Sequence, residues 1–159
     1  MTGERSGEPG RVVLEADDVR LTVDPRVGGR LASLLVGGQE LLVTDGDGPM
    51  WWGCYPMAPF AGRIGAGRFR FRGRAYRLPR TMPPNAIHGT VLDRPWDVIG
   101  ATVSRVELAT DLGRDWPFRG RVVQTIALVE GGLEATLDVQ ASEAMPVALG
   151  WPPWFRRSI

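Results

Sequence analysis

The 159 residues carry 19 basic and 18 acidic side chains for a formal charge of +1, which excludes the strong one-signed field of a nucleic-acid or anionic-membrane binder. Hydrophobic residues at 43% and charged residues at 23% are the composition of one globular domain with a core, and exclude wholesale disorder. Every basic residue is an arginine, so no lysine can act as base or Schiff-base former, and the one cysteine, Cys54, excludes an internal disulfide and a multi-cysteine metal site.

The first ten residues, MTGERSGEPG, lack the apolar core of a secretion signal, and no later apolar run approaches the roughly 18 residues of a membrane helix. The expectation is a soluble, cytoplasmic protein with a disordered polar tail over 1–10 and one domain over 11–159. Val12 to Leu14 and Arg20 to Val23 then read as short strands around an Asp17-Asp18 turn. Leu31 to Val36, a Gly37-Gly38 turn and Glu40 to Val43 continue the meander. Arg68 to Arg72 alternates with period two and forms a hairpin with Ala75 to Leu78 across Gly73, rings on one face and guanidinium groups on the other. Trp96 to Val106 alternates loosely. Val122 to Val129 and Leu133 to Ala141 flank Glu130-Gly131-Gly132 as the longest hairpin. No segment has helical periodicity over three turns. An all-β antiparallel sandwich follows.

Few side chains here can carry chemistry. Asn85-Ala86-Ile87-His88-Gly89-Thr90 follows the Pro83-Pro84 break, which places His88, the sole histidine, at a loop-to-strand junction. By itself His88 fits two readings, a structural histidine bonded to backbone or one presented to a small polar ligand. Arg63 stands in the Gly-rich turn Gly62-Arg63-Ile64-Gly65-Ala66-Gly67 and fits either a solvated loop residue or a fork for hydroxyls or a carboxylate. The arginine row Arg68, Arg70, Arg72, Arg74 and Arg77 with Phe69 and Phe71 resembles a single-strand binder, but period two separates rings from charges, so a solvated face is expected. Six tryptophans exceed what a core this size needs, so one or two suit a sugar face while most are core. One histidine and one cysteine give no dependable metal site.

Four stretches taken together resemble the aldose 1-epimerase (galactose mutarotase) family: Gly28-Gly29-Arg30-Leu31; Trp52-Gly53-Cys54-Tyr55-Pro56-Met57-Ala58-Pro59-Phe60-Ala61-Gly62-Arg63-Ile64; Asn85 to Gly89 with Arg94-Pro95-Trp96; and Met145 to Trp151 with Pro153-Trp154-Phe155. The resemblance implies a galactose mutarotase-like antiparallel β supersandwich and interconversion of the α and β anomers of an aldohexose without a cofactor. One group protonates the ring oxygen, another takes the C1 hydroxyl proton, the ring opens, C1–C2 rotates and the ring recloses. It further implies that Gly62, Arg63 and His88 bind substrate, His88 also supporting the ring oxygen. The family's acid is the histidine of a G-x-HP-x-F motif. Here that motif reads Gly150-Trp151-Pro152-Pro153-Trp154-Phe155, so Pro152 stands in its place and can exchange no proton. The glutamate base lies in a part of the family beyond the residues matched. The expectation is therefore a truncated N-terminal part of a family member, inactive alone or serving as a non-catalytic sugar-binding or assembly module. An unpaired sheet edge would then promote self-association.

Overall fold

The protein is described by a computed structural model over residues 10–158. Apart from Gly10, the tail expected over 1–10 lies outside the described residues. The first sheet is an antiparallel meander of β1 (Val12–Ala16), β2 (Val19–Asp24), β3 (Arg30–Val36) and β4 (Gln39–Glu40), ordered β1-β2-β3-β4. Its turns follow from the chain. Gly37 and Gly38 both hold positive φ, 58° and 81°, as a two-residue hairpin turn with strand-matched twist requires. Leu14, Leu21, Val23 and Leu31 point inward, while Glu15 and Arg20 pair across the outer face at 2.9 Å.

Two short ribbons follow. One pairs β5 (Arg63–Ile64) with β8 (Ala86–Ile87), and the other pairs β6 (Arg68–Phe71) with β7 (Arg74–Arg77). The β6–β7 hairpin turns at Arg72-Gly73 and divides its faces as its period dictates: Phe69 stacks on Tyr76 at 5.2 Å and on Trp116 at 5.3 Å, with the arginines outside. A single 3-10 turn at Gly65–Gly67 is the only helical element among the described residues, none of whose helices is long and apolar enough to cross a membrane.

The second sheet runs β12-β11-β10-β9, with β9 (Asp97–Ala101), β10 (Arg105–Asp111), β11 (Gly120–Val129) and β12 (Gly132–Ala141). Trp96 to Val106 is thus not one strand. Thr102 breaks it, bonding Arg105 through both its backbone N–H and its side chain, so β9 folds back on β10. β1 packs against β10 and β11, and one continuous core, Leu14, Leu21, Val23 and Leu31 against Val106, Leu108, Val122 and Ile126, fills the space between the sheets. The expected all-β antiparallel sandwich is the observed fold. β12 has no strand on its outer side among the described residues. The last segment does not lie on that edge; it threads back between two loops, with Phe60 bridged to Ala148, Met57 to Gly150 and Leu42 to Phe155.

Arg30 holds these loops together. Fully buried, its guanidinium donates to the carbonyls of Val27 (2.8 Å), Pro49 (2.8 Å), Trp52 (3.1 Å) and Leu92 (3.2 Å) and lies 4.2 Å from the Trp52 ring centre. Burial lowers its pKa to about 10, so the cation persists at neutral pH. Gly28 approaches Leu92 so closely, at φ +74°, that a Cβ would run into its carbonyl. Arg30→Met removes five donors and strands four carbonyls, so a loss of about 3–5 kcal/mol is expected in urea unfolding. A loss below about 1 kcal/mol would mean that water replaces the guanidinium.

Candidate functional site

The β5–β8 ribbon builds the site. Arg63 pairs with Ile87 in register, which sets its backbone opposite the residue before His88. The expected arrangement is corrected on both counts: Arg63 opens a strand rather than sitting in a turn, and His88 leaves a strand rather than entering one. Two-residue strands show no periodicity, so the pairing is carried by side chains at the ends. Asn85 Oδ1 accepts from the Ala66 N–H at 3.2 Å and Thr81 Oγ1 from the Ile87 N–H at 3.1 Å.

His88 lies in the left-handed region, φ 57°, a conformation that costs a non-glycine residue roughly 1 kcal/mol or more and collects at functional positions. Two reciprocal bonds to Gly62 hold it there. The His88 N–H donates to the Gly62 carbonyl at 2.9 Å, and the Gly62 N–H donates to His88 Nδ1 at 3.2 Å. Gly89 follows at φ +83°, where a Cβ would overlap the Ala58 carbonyl, so only glycine lets the chain cross there.

Because Nδ1 accepts a hydrogen bond, the neutral ring carries its proton on Nε2. Among the described residues Nε2 has no protein partner, and no buried side-chain polar atom is left unbonded, so the Nε2–H faces solvent as a donor. Burial, and next the charge of Arg63, lower the His88 pKa, which keeps the imidazole neutral at pH 7. Arg63 itself is exposed, and its guanidinium donates to Met82 Sδ at 4.0 Å.

Aromatic side chains flank this pair. The Tyr55 ring lies 6.2 Å from His88 and its hydroxyl donates to the Met50 carbonyl at 3.2 Å. The Trp154 side chain lies beside the Tyr55 hydroxyl, and Trp154 meets Trp51 edge to face at 5.8 Å. Trp51 and Trp154 are exposed. Contrary to expectation most tryptophans are not core: Trp96 and Trp116 are buried, Trp52 is under Arg30, and Trp151 donates to Gln124 Oε1 at 2.9 Å. Gln124 is fully buried and passes the link on, donating to the Gly29 carbonyl at 2.6 Å. Tyr55 lies within the motif already singled out, but nothing in the sequence marks its ring as the neighbour of His88.

The strip Met57-Ala58 gathers the three motifs. Ala58 bridges to Gly89 and Met57 to Gly150, so the His88 turn and the Gly150–Phe155 segment lie on one support with Arg63 beside them. Pro152 is half-buried within that segment and carries no hydrogen-bonding side chain. The described residues hold no group of His, Cys, Asp and Glu that could bind a metal. The arrangement offers a neutral imidazole donor, a guanidinium and exposed indole faces.

The architecture is that of galactose mutarotase-like β proteins. A candidate aldose 1-epimerase of Escherichia coli K12 superposes with a TM-score of 0.82 at 25% identity, covering 91% of this chain and 51% of that one. A galactose mutarotase-like protein from Lactobacillus casei gives 0.76 at 25% identity, with 92% and 50% covered. The uncharacterized Escherichia coli protein YphB is 31% identical over 106 residues, 64% of this chain and 36% of its own length. The aldose 1-epimerase family model matches residues 11–159, and the chain belongs to that family. It spans about half the length of the structures it matches.

His88, as the one histidine, gives an unobstructed NMR titration. Its Hε1 resonance is expected to report a pKa below the ordinary 6.5, and Arg63→Gln, by removing the second cause, should raise that value while burial keeps it under 6.5. Since the folded pKa lies below the unfolded one, the unfolded chain takes up the proton first; this contribution to stability is full above about pH 6.5 and is lost as the pH falls through the folded value. An unchanged pKa in Arg63→Gln would show that the two side chains do not face each other.

Proposed function

We propose that this chain forms the substrate-holding part of an aldohexose site and does not by itself interconvert anomers. The observation that carries the reading is His88, locked by Gly62 as a neutral Nε2–H donor beside the Arg63 cation. A sugar ring offers oxygens to both and a C–H face to Trp51 or Trp154. In this reading Gly62 orients His88, Arg63 accepts the load of the ring hydroxyls, and His88 supports the ring oxygen. Anomer exchange also requires a proton delivered to that oxygen as the C1–O bond breaks, and a second group that removes the C1 hydroxyl proton. Neither transfer has an agent at the site: Pro152 stands where the family resemblance puts the acid, and no carboxylate accompanies Arg63 and His88 in the contacts described. A neutral imidazole with a lowered pKa is a hydrogen-bond donor and a poor acid, which fits binding better than proton transfer. A cytoplasmic setting belongs to the same proposal, supported by Cys54 as a buried free thiol.

A second reading is favoured by one observation, the unpaired outer side of β12. There the chain is an assembly module that completes its sheet against another chain. Size-exclusion chromatography separates the two: a defined oligomer supports assembly, a monomer the first reading.

Titrating D-galactose or D-glucose into the protein is expected to shift the His88 Hε1 resonance saturably, and Arg63→Ala should remove the shift. Polarimetry on freshly dissolved α-D-glucose should give the rate of buffer. A rate well above buffer that His88→Ala abolishes would overturn the claim of inactivity, and a sugar titration without saturable shift would overturn the site.

A further inference from the structure

A second concavity, built from other elements, is lined by four arginines. Arg94 precedes β9, Arg114 and Arg119 lie in the loop between β10 and β11, and Arg121 is on β11; together they border an open space of about 940 Å³ that Ser142 closes at the end of β12. Asp111 is the one acidic residue lining it. Among the described residues no carboxylate lies in ion-pair range of any of the four guanidinium groups, although the chain pairs Arg11, Arg20, Arg26 and Arg105 elsewhere.

These groups are not on a loose loop. Trp116 and Phe118 are buried, and Trp116 stacks on Phe69 at 5.3 Å, which anchors the loop between β10 and β11. Arg94 donates to the Asp111 carbonyl at 2.9 Å and lies against Gly113, φ +80°, where any Cβ would overlap its guanidinium. One cation is thus held by the Asp111 carbonyl in space that Gly113 leaves open, and three more line the same concavity without an ion-pair partner among the described residues. Unpaired like charges held together repel, and an anion relieves that repulsion.

We propose that this concavity binds a small compound carrying one or two phosphate groups. A phosphate presents three oxygens that can accept from several guanidinium forks at once, whereas a monocarboxylate satisfies one fork. Size and charge argue for a small ligand over a nucleic acid. Asp115 follows Arg114 in the chain and Glu143 accepts from the Arg119 N–H, so a long polyanion would meet their carboxylates. The remaining arginine row, Arg68 to Arg77, sits on a separate ribbon and gives no continuous track. Thr90 links the two regions of the molecule, donating from Oγ1 to the Leu112 carbonyl two residues beyond His88.

Calorimetry at low ionic strength with pyrophosphate, which contains no sugar, tests the proposal directly. Saturable one-to-one binding is expected, with inorganic phosphate weaker, and Arg119→Gln/Arg121→Gln should weaken pyrophosphate at least about tenfold. Arg74→Gln/Arg77→Gln removes the same charge from the hairpin and should leave the affinity within about twofold. Arg63→Ala should also leave it unchanged. If Arg119→Gln/Arg121→Gln loses its native circular dichroism, the exposed Arg114→Gln carries the same comparison. Absence of saturable binding, equal loss in the hairpin variant, loss in Arg63→Ala, or tighter binding of oligothymidylate than of pyrophosphate would each overturn the assignment.

Discussion

A buried cation with no ion-paired carboxylate among the described residues sits at the centre of this fold. Asp24 and Asp93 act on Arg30 only at a distance, and its donors end on four backbone carbonyls drawn from residues 27, 49, 52 and 92. Backbone bonds already join these loops in pairs, Leu31 with Cys54 and Gly28 with Arg94, and the guanidinium ties all of them to one point. A guanidinium suits such a post because its planar fork serves several acceptors while its faces lie on rings, here Trp52 and Tyr55. The loops then meet at a set distance, and the strip 53–60 that leaves them reaches Gly89 and Gly150 in register.

The site inherits its order from that arrangement by two routes. Tyr55 packs on Arg30 from one side and approaches His88 from the other. Gln124 reaches the Gly29 carbonyl with its amide nitrogen and takes the Trp151 N–H with its oxygen, joining the second sheet, the Arg30 loop and the last segment through one buried amide. Binding geometry and core integrity are consequently hard to separate here, whereas protonation of His88 responds to local groups alone.

Hairpins were the most legible part of the sequence. Gly37-Gly38, Arg72-Gly73 and Glu130-Gly131 each end a run of alternating residues, and each is a turn in the fold. The Trp96 to Val106 run misleads because β9 is exposed along its whole length, so its apolar positions Val98 and Ile99 reveal no buried face and Thr102 breaks the strand without glycine or proline. The β5–β8 ribbon was illegible for a different reason: strands of two residues have no period. Arg30 was noticed only within a motif, since an arginine in sequence reads as surface and nothing local reveals that four distant carbonyls surround it. The same holds for the tryptophans, whose places in the core, against Arg30 or at the surface depend on contacts across the chain.

The segment that carries Pro152 is held by main-chain bonds, Met57 N–H to the Gly150 carbonyl, Trp154 N–H to the Gly53 carbonyl and Val43 N–H to the Trp154 carbonyl, and by the Trp151 and Arg156 side chains. None of these bonds consults the side chain at position 152. A pyrrolidine there fixes φ and removes an N–H, and none of these bonds uses the N–H of residue 152. If the family's acid belongs at this position, as proposed above, its replacement by proline leaves each of these bonds in place.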